Sequence, residues 1–209
     1  MRLWGGLIAD AAEHVPHGAG PVLSPIDDAL KLLRPLDEGQ IRTTGWEMAH
    51  TLLPDNDSTC LEKSVMTGMA LAERITGSIP AALQNIGASD ARVAASAVAY
   101  RVQVGGLENN FHLATLARTT DDKLLVIDRH LADSPDGVMM FDDWLAKVGG
   151  RREDTRIVPL THIAPNSNRS NAGIPPIAKR IDAPMWREIT NNLAARIEIA
   201  AQRNARPAP

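Results

Sequence analysis

Two apolar runs flank five polar residues in the middle of the chain: FHLATLA at 111–117, RTTDD at 118–122 and KLLVID at 123–128. Apolar runs of strand length around a short turn-forming segment specify an antiparallel hairpin. The hairpin in turn limits which side chains can meet, because residues opposite each other project on the same face. Placing Ala117 opposite Lys123 sets Leu116 against Leu124, Ala114 against Val126 and His112 against Asp128. Arg118 then faces Asp122, a favourable charge pair, and the loop reduces to Thr119, Thr120 and Asp121. Asp tolerates the left-handed position of such a loop. Opposite Cβ atoms lie roughly 4.5–5.5 Å apart. At that range Asp128 can accept the Nδ1–H of His112, fixing its tautomer and supporting its charged form. A slip of one residue would send the two to opposite faces.

A possible use for such a pair lies upstream. Cys60, the sole cysteine, opens the run CLEKSVMTGMALAERIT at 60–76. Apolar residues at Leu61, Val65, Met66, Met69, Leu71, Ala72 and Ile75 form one broad helical stripe. Ser58 or Thr59 supplies an N-cap and Gly77 a C-terminal stop. A thiol at a helix N-terminus has its pKa lowered, and the free N–H groups there can hold an oxyanion. An unpaired cysteine is most often just a small buried side chain. Cys60 gains a catalytic meaning only if an imidazole and an acid converge on it.

Around this centre the chain divides into an N-terminal helical and loop extension (1–40), a catalytic core (41–163), and a long loop with a C-terminal helix packed on the core (164–209). In the extension, residues 24–36 read as a helix with Ser24 as cap and Pro25 in its first turn. The segment 43–57 carries mixed signals and reads mostly as loop with a helical turn, and residues 97–104 read as strand. Residues 139–150 suggest a short helix or docked turn, and 154–164 a strand weakened by Pro159. Residues 164–183 form a polar, Pro-rich loop, before an amphipathic helix at about 184–203.

One cysteine allows neither an internal disulfide nor a cysteine-rich zinc site. A net charge of -3 gives no electrostatic case for nucleic acid or an anionic membrane. No apolar run reaches the length of a membrane span, and the N-terminal residues lack a Sec-type signal. A soluble protein is expected, cytoplasmic or exported without such a signal.

The order of cysteine helix, histidine strand and acid strand resembles the papain-like cysteine hydrolases. Within them it is most similar to the protein-glutaminase family of deamidases. The matching stretches are STCLEKSVMTGMALAERI, NNFHLATLA and KLLVIDRHLADSPDGVMMFDDWLAKV, the last with its Asp143-Trp144 helix. They span residues 55–148. Arg129 follows Asp128, where members of the family often carry proline. The resemblance implies an α+β papain-like fold with the nucleophile helix packed on an antiparallel sheet. It implies Cys60 as nucleophile, His112 as acid and base, and Asp128 as the group orienting His112. Asn56, four residues ahead of the thiol, is the nearest amide for an oxyanion hole, though it reads better as a loop or cap residue. The expected activity is deamidation of glutamine in a protein substrate, without cofactor or metal. A peptidase or peptidoglycan amidase would use the same triad, and a binding module could keep the fold without the chemistry. An effector or toxin acting on a host or competitor protein, paired with an inhibitor or immunity protein, fits a chain of this kind.

Other residues read more plainly. His14 and His17 suit exposed loops, His50 a packing role, and His130 either the site or an exposed loop. His162 is the one histidine that could replace His112. Asp142 and Asp143 suit a helix's first turn, and Trp46, Trp144 and Trp186 suit core or interdomain anchors.

Overall fold

In the computed structural model, which describes residues 24–52, 60–77, 95–104, 107–159 and 195, helices and strands alternate irregularly along the chain. They are β1 (Ser24–Pro25), α1 (Ala29–Leu32), β2 (Pro35–Leu36), α2 (Glu38–Glu47), α3 (Cys60–Thr76), β3 (Ala95–Val104), β4 (Leu107–Thr119), β5 (Leu124–Ile127), β6 (Val138–Met140), α4 (Phe141–Lys147) and β7 (Thr155–Pro159). The strands form one sheet in the order β1-β7-β3-β4-β5-β6, all antiparallel, with β2 pairing parallel to the end of β4. The class is therefore α+β, with the long β3–β4 pair at its centre.

Strand alternation sends successive side chains to opposite faces. On one face Ala95, Ala97, Ala99, Ala114, Leu116, Val126 and Ile157 join a core with Ile26, Ala29, Leu33, Phe141, Trp144, Leu145 and Val148. With so few aromatics in the chain, Trp144 and Phe141 are the largest fully buried side chains. On the other face lies α3, whose Val65, Met66, Met69, Leu71 and Ala72 are buried as the apolar stripe requires. Its docking is also polar. Thr115 Oγ1 donates to the Ser64 carbonyl at 2.9 Å, and the Ser64 and Ser96 hydroxyls share a hydrogen bond of 2.7 Å. All three residues are buried, so slippage of the helix would strand these groups without partners. Ser64 lies one turn beyond Cys60, and this contact fixes the height at which the thiol sits. Gly77 ends α3 in the left-handed region (φ +82°), with its N–H on the Glu73 carbonyl at 2.7 Å.

The hairpin forms with a register two residues from the expected one. Leu116 opposes Val126, Ala117 opposes Leu125 and Arg118 opposes Leu124. The loop is Thr120, Asp121 and Asp122, and Asp122 rather than Asp121 takes the left-handed position (φ 63°). Thr119 causes the shift: its N–H and hydroxyl both bond to the Lys123 backbone, which extends the ladder by one pair. Arg118 and Asp122 do pair, at 2.9 Å from Nε, but across the loop rather than as opposed strand residues.

Two other expectations fail. Residues 24–36 form no single helix. Ser24 pairs with Ile157 as strand and caps nothing, and only Ala29–Leu32 is α-helical. The segment 43–57 is not mostly loop, because α2 and a π-helical turn, Met48–Leu52, run through its described part. Asp37 caps α2, its carboxylate accepting the Gln40 N–H at 3.1 Å. By contrast, residues 97–104 lie within β3, the Asp143-Trp144 segment is helical, and Thr155–Pro159 is a strand whose Pro159 stands at its end. The long loop at 164–183, the C-terminal helix, His14, His17, His162, Trp186, Asn56 and the Ser58/Thr59 cap lie outside the described residues. No described helix is long and apolar enough to cross a membrane.

Gly45 lets α2 approach the loop leading into β6. A Cβ there would lie 2.3 Å from the Asp136 carbonyl oxygen and 2.9 Å from Val138 Cγ2. Gly45→Ala is expected to destabilise by about 1–3 kcal/mol, the usual range for overpacking. Thermal melting of the variant checks this, and an unchanged Tm would show that the helix can move away without cost.

Candidate active site

Two of the three expected residues sit on the hairpin. His112 lies on β4 with the same strand parity as Ala114 and Leu116, which turns its ring towards Trp144. Asp128 follows directly after β5. A register shift of two residues preserves parity, so both still share a face, now as diagonal neighbours rather than opposed ones. His112 Nε2 lies 2.7 Å from Asp128 Oδ2. The contact uses Nε2 rather than the expected Nδ1, and so leaves Nδ1 for a second partner.

That partner is the thiol. Cys60 is the first residue of α3, and its sulfur hydrogen-bonds the His112 ring. β5 pairs with β4 no further than Thr115. Beyond that point the Leu113 N–H donates to the Cys60 sulfur. The cysteine is half-buried, whereas His112 and Asp128 are 8% and 7% exposed. The three residues thus form a chain of sulfur, imidazole and carboxylate, reachable from the sulfur end.

The Asp128 carboxylate has partners besides His112. Oδ2 also accepts the Trp144 indole N–H at 3.0 Å, and Oδ1 accepts the His130 backbone N–H at 3.1 Å. Its own N–H goes to the Gly137 carbonyl, and its carbonyl accepts from Leu131 and Ala132. Burial alone would push the Asp128 carboxyl up. The bond and charge of His112, with the Trp144 and His130 donors, instead hold it below the usual carboxylate value. It therefore remains an anion in the interior.

The charge on Asp128 sets the state of the other two groups. Burial lowers the His112 pKa, but its bonds to Asp128 and Cys60 outweigh that and raise it to about 9. Burial raises the Cys60 pKa, yet the His112 bond, the Leu113 N–H and the imidazolium charge bring it below the ordinary thiol value. Both shifts favour a thiolate–imidazolium pair near neutral pH. A thiolate is the strong nucleophile, and the imidazolium beside it is a ready proton donor.

Trp144 has a second role that its expected place as an anchor does not include. It is fully buried, as a core residue should be, but its N–H fixes Asp128 and its ring lies against His112 with centroids 6.0 Å apart. The signal was chemical: a buried indole N–H needs an acceptor, and Asp128 ends the neighbouring strand. Trp46 is not an anchor, being 49% exposed and stacked on His50. His50 is exposed too, with Nδ1 2.9 Å from the Trp46 carbonyl, so it is no packing residue. Asp142 and Asp143 occupy the first turn of α4. His130 is exposed, its ring touching Lys63 while its N–H reaches Asp128.

No family model, curated protein or solved structure matches this chain.

Proposed function

We propose that this chain is a cysteine-dependent amidohydrolase of papain-like fold that deamidates glutamine side chains of a protein substrate. What carries the proposal is a single imidazole between a carboxylate, at 2.7 Å from Nε2, and a thiol bonded to the same ring. The preference for glutamine over other amides rests on the sequence's resemblance to the protein-glutaminase family.

The reaction follows from the charges. The Cys60 thiolate adds to the carboxamide carbon, and the carbonyl oxygen becomes an oxyanion facing the N–H groups at the start of α3. His112 passes its proton to the nitrogen, the C–N bond breaks, and ammonia leaves with a thioester on Cys60. Neutral His112 then takes a proton from water as the hydroxyl adds to the thioester carbon. The C–S bond breaks, the side chain departs as a carboxylic acid that gives its proton to solvent to become glutamate, and the thiolate is restored beside the imidazolium. Asp128 stays ionised throughout and steadies the positive ring.

The test is ammonia release from glutamine-containing peptides, with mass spectrometry of the products. Wild type should release ammonia and leave an intact peptide one mass unit heavier, and Cys60→Ala should release none. Cleaved backbone in place of the mass gain would make the chain a peptidase. No difference between wild type and Cys60→Ala across a varied peptide panel would remove the amidohydrolase reading.

A further inference from the structure

Two donors share one oxygen at the far end of the triad. Asp128 Oδ2 lies 2.7 Å from His112 Nε2 and accepts the Trp144 indole N–H at 3.0 Å. A carboxylate oxygen has two lone pairs, so these two bonds fill it. A buried indole N–H needs an acceptor, and a backbone carbonyl would serve as well. Here it takes the oxygen that also holds the His112 ring, and that choice couples the indole to the reacting group.

The donor's place is set by the fold rather than by the site. Trp144 lies at the end of the first turn of α4, is fully buried and packs against Phe141, with ring centroids 5.9 Å apart. Three residues on, Lys147 Nζ reaches the Leu131 carbonyl at 2.8 Å and the Asp133 carboxylate at 2.7 Å. One helix thus holds both the Asp128 carboxylate and the loop that follows it. The plane of that carboxylate is fixed between the Trp144 N–H on Oδ2 and the His130 N–H on Oδ1.

Sharing the oxygen has a chemical consequence. Burial pushes the Asp128 carboxyl up, and the bond and charge of His112 with the bond from Trp144 bring it down. A carboxylate already hydrogen-bonded by the indole is a weaker base and draws the His112 proton less strongly. An imidazolium held too tightly would be a poor acid towards a leaving nitrogen.

We infer that Trp144 is a positioning residue of the reaction: its indole N–H fixes the plane of the Asp128 carboxylate and, by sharing the oxygen that binds His112, keeps the imidazolium able to give up its proton. The destination of that proton, the departing amide nitrogen, rests on the amidohydrolase proposal; the restraint on His112 does not.

Two replacements isolate the N–H. Trp144→Phe keeps an aromatic ring at this position and removes the donor. Benzothienylalanine in place of Trp144 keeps the whole bicycle, with sulfur where the N–H stood, and so guards against a packing defect. The His112 ring resonances, identified by their loss in His112→Gln, are followed by NMR against pH. Both replacements should move their midpoint upwards from about 9, by about 0.5–1 pH unit for one lost hydrogen bond. A role confined to packing would lower Tm and leave the midpoint in place. An unchanged or lowered midpoint in the benzothienylalanine protein would overturn the inference. The second measurement is kcat/KM for ammonia release from a glutamine peptide at pH 7, which should fall by about 3–10-fold in both replacements. An unchanged kcat/KM beside a raised midpoint would also overturn the inference, because the reaction would then make no use of the restraint. No ammonia from wild type would count against the deamidase reading, and the midpoint would then decide the part of Trp144 alone.

Discussion

Asp128→Asn should lower kcat/KM for deamidation by about 10³–10⁴-fold, the scale seen when the acid of a triad is neutralised. The substitution is nearly isosteric, so the loss comes from charge and hydrogen-bond polarity. Oδ2 accepts from both His112 Nε2 and the Trp144 indole, and Oδ1 from the His130 N–H. An amide must place its NH2 group against one of these sets of donors. If the NH2 takes the Oδ1 position it opposes the His130 N–H and loosens the loop. If it takes the Oδ2 position it opposes two donors and turns His112 into the wrong tautomer. In either case the anion that keeps His112 protonated is gone. A stability loss of about 1–3 kcal/mol should accompany the change, the usual result of leaving buried donors unpaired. Steady-state kinetics and thermal melting check the two parts. A variant that keeps most of its activity would show that Asp128 is a structural strand-end residue.

His112→Gln should slow alkylation of Cys60 by iodoacetamide on the order of 10²-fold near neutral pH, because the thiol then titrates much higher. Burial already pushes the Cys60 pKa up, and the ring opposes that push through a hydrogen bond and a charge. Gln keeps part of the volume and a donor for Asp128 but supplies no positive charge. Stability should respond with a definite pH signature. The folded-state pKa of His112 is raised from 6.5 to about 9. Its contribution is therefore complete below 6.5 and is lost as pH rises through about 9. Asp128 is shifted the other way, so its contribution is present above its ordinary 3.8 and is lost as pH falls below it. The stability gap between wild type and His112→Gln should be widest between these ordinary values and should close in alkaline solution.

The parts of the site that were legible in the sequence are those set by periodicity. The α3 stripe follows from its apolar spacing, and the shared face of His112 and Asp128 follows from strand alternation. Alternation repeats every two residues, however, and cannot distinguish a register from one displaced by two. That choice was made by the hydroxyl and N–H of Thr119 at the turn. The use of Nε2 by Asp128 was likewise invisible, because it depends on how the diagonal placement turns the ring. α2 was hidden for another reason. It has no strong apolar stripe and is held by polar contacts with distant residues: Arg42 with Asp136, and Arg74 with both Glu47 and Thr44. Only the Asp37-x-x-Gln40 cap marked it locally. β1 and β2 are two residues long and leave no pattern to read.

The central claim is that one imidazolium, held by a buried carboxylate, keeps Cys60 ionised. The pH dependence of its alkylation by iodoacetamide tests this most directly. The account predicts that the wild-type profile has its midpoint below the ordinary thiol pKa, and that His112→Gln moves the whole profile to higher pH. A wild-type rate that rises only through the ordinary thiol pKa of about 8.5, with the same midpoint in His112→Gln, would contradict it.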